Sequence, residues 1–231
     1  MVPNQKIISG TFNLVGEDTT RKDLAVRRET KYLLPHADIG KLRSLLKGNT
    51  KRIIHNKPVS TVRSIYFDDT LLSDCQANLD GVSHRKKARL RWYDSLKPEE
   101  VLFFEIKWRN NRVTGKHRLE LRSQQNLSDL SYPQIYNGLI NILPPQHIAD
   151  LLKRSDPIVI VEYHREHFIS ADGFLRVTLD YNLKFYDQTG KQSISTSFPF
   201  LMHDFLVMEV KGPEETLQEV KQLLHPFSPR M

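Results

Sequence analysis

Charge alternation along several segments is the strongest constraint that this sequence sets on its fold. In a β-strand successive side chains point to opposite faces, so residues two apart share a face. Applied to Ser83–Tyr93, the rule places Arg85, Lys87, Arg89 and Arg91 on one face and Ala88, Leu90 and Trp92 on the other. Val101–Arg109 sets Glu105, Lys107 and Arg109 against Leu102, Phe104, Ile106 and Trp108, and Arg112–Arg122 sets Lys116, Arg118, Glu120 and Arg122 against Val113, Leu119 and Leu121. In Phe174–Tyr181, Arg176, Thr178 and Asp180 oppose Leu175, Val177, Leu179 and Tyr181, and in Phe205–Lys211 the pair Glu209 and Lys211 opposes Leu206, Met208 and Val210. Half-exposed sheets alternate in the same way. Here, however, arginine and lysine dominate consecutive strands, and like charges placed opposite each other destabilise a sheet unless an anion compensates them.

Strands are also expected at Leu24–Leu33, Val62–Phe67 and Ile158–Phe168, and helices at 36–47, 69–77, 145–153 and 213–224. The last helix has Pro213 at its first turn, Glu214 and Glu215 where the dipole favours them, and Leu217, Val220, Leu223 and Leu224 on one face,. Asn110-Asn111 reads as a tight hairpin link, because Asn tolerates positive φ. Residues 1–23 read as a flexible leader and 24–231 as one domain. These elements predict an α+β fold built on an antiparallel β-barrel with several covering helices. If the helices cover the apolar faces, the basic faces line an interior or a groove.

The formal net charge of +7 calls for an anionic partner,. A dry interior cannot hold that many cations, whereas a narrow tunnel filled with water and linear phosphate can, since Arg forks and Lys ammonium groups match phosphate oxygens. A nucleic-acid duplex is too wide for such a tunnel, and a barrel that stacks bases wants aromatic rings on its basic face, whereas Trp92 and Trp108 fall on the apolar one. No nucleic acid is expected. The sequence has no P-loop, no Gly-x-Gly-x-x-Gly and no nucleophile elbow,. His164 and His167, three apart on one strand, face opposite ways. Cys75 is the only cysteine, which excludes an intramolecular disulfide and suits a reducing cytoplasm,. With no apolar run long enough to span a bilayer, any membrane module is left to a partner chain.

Six short motifs occur in an order that resembles the VTC domain, the polyphosphate-polymerase domain of the CYTH-like triphosphate tunnel metalloenzymes. They are Arg28-Glu29-Thr30-Lys31-Tyr32, Arg89-Leu90-Arg91-Trp92-Tyr93, Phe104-Glu105-Ile106-Lys107, Glu162-Tyr163-x-Arg165, Arg176-Val177-Thr178-Leu179-Asp180 and Met208-Glu209-Val210-Lys211. The resemblance implies a tunnel barrel, ATP or another nucleoside triphosphate as phosphoryl donor, polyphosphate as product and a divalent metal, Mn²⁺ or Mg²⁺. By motif it assigns Lys31, Arg89, Arg91 and Lys107 to catalysis, Lys116, Arg165 and Arg176 to phosphate binding, and Glu209 to the metal. Arg118 and Lys211 join the phosphate contacts on the facing pattern. The triphosphatase branch opens with Glu-x-Glu-x-Lys, but here Arg27 takes the first acidic position, which points to the polymerase branch. The family ends in a Phe-Ser-Lys-Tyr-like segment, whereas this chain has Phe227-Ser228-Pro229-Arg230. A triphosphatase and a catalytically silent polyphosphate-binding module are therefore the alternatives.

Overall fold

A computed structural model of the chain describes residues 11–15, 28–55, 57–95, 101–111 and 113–230. The fold is α+β, a mostly antiparallel sheet with five α-helices among the described residues, and the chain divides into two compact units. The first unit takes Ile65–Val159, Gln188–Ser195 and the described residues 11–15, and the second takes residues 28–64, Ile160–Asp187 and 196–230.

In the first unit, β5 (His84–Tyr93), β6 (Val101–Asn110) and β7 (Val113–Ser123) form an antiparallel meander, extended at one side by β1 (Phe12–Leu14) and at the other by β4 (Ser60–Asp68). The faces inferred from alternation are the observed ones. Ala88, Leu90, Trp92, Leu102, Phe104, Ile106, Leu119 and Leu121 are buried together with Ile135 and Leu139 of α3 (Tyr132–Ile142). The turn between β6 and β7 sits one residue later than expected: Asn110 pairs with Val113, and Asn111 takes the positive φ of 55°. Gly115 lies opposite Trp108, and a Cβ there would meet the indole at 2.0 Å, so only glycine lets the ring lie across the neighbouring strand,. The unit also contains α2 (Ser73–Leu79) and α4 (Pro145–Leu152).

The second unit orders its strands from β4 through β8 (Asp156–Ser170), β9 (Arg176–Asp187) and β11 (Phe205–Gly212) to β2 (Arg28–Pro35). Two short strands sit off this path, β3 (Thr50–Ile53) on β8 and β10 (Phe200–Met202) on β9. Its core packs Tyr32, Leu34, Val177, Leu179, Leu206, Met208 and Val210 from the strands against Leu42 and Leu46 of α1 (Ile39–Lys47) and Leu217 and Val220 of α5 (Glu214–Leu223).

Three expectations change. Among the described residues no ladder joins the outermost strands β1 and β2, so the strand pairing does not give the closed barrel that was expected. Each of these outermost strands has a further contact within its own unit. Phe12 of β1 packs against α3 at Gly138, and Leu33 of β2 exchanges backbone hydrogen bonds with Arg230. Phe12–Leu14, expected inside a loose leader, is a strand paired with Ser123–Leu121 and buries Phe12; residues 1–10 and 16–27 lie outside the described residues. Finally, α3 was not expected. Its signals are Ser131 and Gln134 in a capping box, and Pro133 in its first turn,.

Candidate functional site: two cationic sheet faces

On the charged face of β5–β7, register sets three cross-strand rows: Lys87–Lys107–Lys116, Arg89–Glu105–Arg118 and Arg91–Phe103–Glu120. Six cations thus share this part of the face with two carboxylates. Glu105 is the centre. It is 1% exposed and is gripped by Arg89, whose Nε donates at 2.6 Å, and by Lys116, whose Nζ donates at 3.0 Å, with Arg118 and Arg91 at 3.7 and 3.9 Å. Burial would raise the Glu105 pKa, but the surrounding Arg89, Arg91 and Lys116 overcome it and hold the carboxyl far below its ordinary range,. Burial also lowers the pKa of Lys116, which Glu105 offsets only in part, and Arg118 and Arg89 push it further down.

Arg89 and Arg91 are themselves 5% and 6% exposed. Arg89 also donates to the Tyr66 hydroxyl at 2.9 Å. Against the raising effect of burial, Arg89, Arg91 and Lys87 lower the pKa of that phenol, a direct sign of positive potential on this face,. Phe103 lies on the cationic face as well, a position that alternation allowed but that the sequence analysis passed over. The Arg118 guanidinium already stacks on it, 3.6 Å from the ring centroid,.

The second unit also carries a cationic face. Its rows are Thr178–Glu209–Lys31 and Arg176–Lys211–Glu29. Glu209, with a side chain 12% exposed, accepts from Lys211 at 2.7 Å and lies 3.5 Å from Lys31. Burial works against its ionisation, yet Lys211 and Lys31 bring its pKa down to about 2. Arg165 makes a two-pronged contact with Asp180, both distances 2.6 Å, which raises its pKa against the opposing effect of burial,.

The structure therefore gathers Arg89, Arg91, Lys107, Lys116 and Arg118 on one face, and Lys31, Arg176, Glu209 and Lys211 on another, with Arg165 tied to Asp180 of that second face. Two roles shift in emphasis. Arg89 is a structural counter-ion as well as a candidate phosphate contact, and Glu209 is the centre of a lysine cluster. Among the described residues no group of three His, Cys, Asp or Glu side chains could hold a metal. A divalent cation fits Glu209 only if a bound triphosphate supplies most of its oxygen ligands, the usual mode for Mg²⁺. His164 contacts Tyr181 and Asn182 while His167 contacts His55, so the two do not share a site.

The VTC domain family matches residues 26–230, nearly the whole chain. The chain belongs to the VTC domain family. This is the family of the triphosphate tunnel group anticipated from the six motifs. Among solved structures, the VTC chain is similar to the Hippeastrum protein HpAC1, described as having a dominant triphosphatase activity, at 14% identity and TM-score 0.43 over 86% of this chain and 84% of that one. A protein described only as hypothetical aligns at 12% identity and TM-score 0.30 over 84% and 81%. No curated protein matched the sequence. Among the described residues of this VTC domain, no helix is long and apolar enough to cross a membrane.

Proposed function

We propose that this VTC domain is a polyphosphate-polymerase-type phosphotransferase that moves the terminal phosphoryl group of ATP, or of another nucleoside triphosphate, onto a polyphosphate chain. The observation that supports it best is the lysine row Lys87–Lys107–Lys116 beside Arg89, Arg91 and Arg118 on one face. A phosphate chain carries charge at a spacing that such a face can follow.

Phosphoryl transfer asks the protein mainly for positioning and for neutralisation of charge spread over the transferring group. Lys107, Lys116, Arg91 and Arg118 neutralise the donor phosphates. Arg89, held by Glu105 and the Tyr66 hydroxyl, contributes a fixed positive charge to this face without a reorganisation penalty,. An oxygen of the chain terminus attacks the terminal phosphorus, the bond to the bridging oxygen breaks, and the nucleoside diphosphate leaves. In the second unit Lys31, Arg165, Arg176 and Lys211 are phosphate contacts. Glu209 would be the protein carboxylate that holds a divalent cation, Mn²⁺ or Mg²⁺, which would supply further charge neutralisation.

Incubation of purified protein with ATP and Mn²⁺, with polyphosphate resolved on gels, tests this reading. Chain synthesis is expected, reduced by about 10²-fold in Lys107→Ala, whose half-buried side chain makes it a cleaner probe than the load-carrying Arg89,. Phosphate release from tripolyphosphate without chains would assign a triphosphatase instead. Tight polyphosphate binding without turnover would assign a binding module, and no binding at all would overturn every form of the proposal.

A further inference from the structure

The second unit carries two imidazoles that the proposed phosphate contacts do not use. His167 stands two residues past Arg165 on β8, so the two side chains leave the same face of the strand,. Register sets Ile53 of β3 opposite His167, and His55, just beyond β3, meets the His167 ring edge-on with centroids 4.7 Å apart. Arg165 is fixed on this face by Asp180, and both Arg165 and His167 feel the Glu209 carboxylate. Among the described residues neither imidazole has a hydrogen-bond partner, so their ring nitrogens are available to a ligand on a face already lined with cations,.

We infer that His167, assisted by His55, is a further phosphate contact of this face and takes up a proton when a polyphosphate oxygen binds beside Arg165. The inference rests on the phosphate-binding reading above. In the free protein, burial first, then Arg165 and His55, push the pKa of His167 down to about 4 against the opposing pull of Glu209. The ring is therefore neutral at neutral pH. The groups that set its field are Arg165 on its own strand, His55 beyond β3 and Glu209 on β11, with Asp180, Lys31 and Lys211 acting through their ion pairs to Arg165 and Glu209. The negative charge of a bound polyanion favours the imidazolium, offsetting Arg165 and working against the effect of burial, so the pKa of His167 rises on binding.

The test is calorimetric titration of the full chain with tripolyphosphate at about pH 6 and about pH 8, for wild type, His167→Gln and His55→Gln. If the ring moves from about 4 to an ordinary imidazole value on binding, the wild type gains roughly 4-fold over His167→Gln at the lower pH and almost nothing at the higher one. Protonation of tripolyphosphate itself affects both proteins alike, so the ratio of their dissociation constants isolates the ring. A ratio that is the same at both pH values overturns the inference. His55 is exposed, so His55→Gln carries the test should His167→Gln fail to fold. It is expected to show a smaller pH-dependent ratio of the same sign, and a ratio of one at both pH values would count against a role for the pair. Wild-type protein that binds no tripolyphosphate at either pH would refute the phosphate-binding reading itself, a result distinct from binding without the pH-dependent ratio.

Discussion

Glu105→Gln is the substitution in which stability and function are most tightly coupled. Gln keeps the shape and one acceptor oxygen but removes the charge that Arg89 and Lys116 share, at 2.6 and 3.0 Å. Hydrogen bonds to charged groups contribute about 1.5–3 kcal/mol each, and removing one partner of a buried pair costs about 3–5 kcal/mol. With one acceptor retained, a loss of about 3 kcal/mol is expected. In a chain of this length that lowers Tm by about 6–12 °C. The only two tryptophans, Trp92 and Trp108, both lie in the first unit, so thermal unfolding followed by their fluorescence reports on the unit that is perturbed.

The same substitution should strengthen anion binding, because a carboxylate that competes for the cations has gone. Tripolyphosphate at about a hundred times its Kd adds about 2.7 kcal/mol to the parent, and the gain in Tm should be larger in the variant. A control with sulfate at equal ionic strength separates specific binding from screening. A Tm within about 2 °C of the parent, equivalent to less than ~1 kcal/mol, would refute the view that Glu105 holds the buried arginines in place. A smaller ligand-induced gain in the variant than in the parent would refute the view that this face is built for a polyanion.

The carboxylates also set an acid limit. Glu209 has its pKa lowered from 4.5 to about 2, and Glu105 is held lower than its ordinary range as well. For groups depressed by folding, the stabilisation is complete above the unfolded value and is lost as pH falls through the folded one. Urea midpoints should therefore be flat above about pH 5 and fall steeply between about pH 4.5 and pH 2, and a flat profile across that window would contradict the ion-pair assignments. Gly115→Ala forces the Trp108 indole off its neighbour, with an expected loss of about 1–3 kcal/mol and a shift in tryptophan emission,. A denaturation midpoint and emission spectrum identical to the parent's would show that the ring is not seated as described.

Much of this arrangement was legible in the chain because strand alternation is strictly local. The cationic face of Arg85, Lys87, Arg89 and Arg91 needed no knowledge of neighbours, and the register of β5, β6 and β7 kept it intact. The ordered motifs likewise pointed to the family that matches residues 26–230. Short elements were missed for a physical reason. Phe12–Leu14, Thr50–Ile53 and Phe200–Met202 are too brief to show a period, and they exist because a longer strand offers an edge to pair with,. The start of α3 was marked in the chain by the Ser131-x-x-Gln134 box and Pro133, signals that count only when read together,.

By itself the sequence determined which side chains share a face, since that follows from the two-residue repeat of an extended backbone and from nothing beyond it. Only the tertiary structure decided which cation meets which carboxylate, because cross-strand register and burial are set by residues far apart in the chain. Arg89 and Lys116 converge on Glu105 only after three strands have aligned, and Lys31 joins the pair of Glu209 and Lys211 only after two have. Strand order was decided at the same level: among the described residues β1 pairs with β7 and β2 with β11, and no ladder joins β1 to β2.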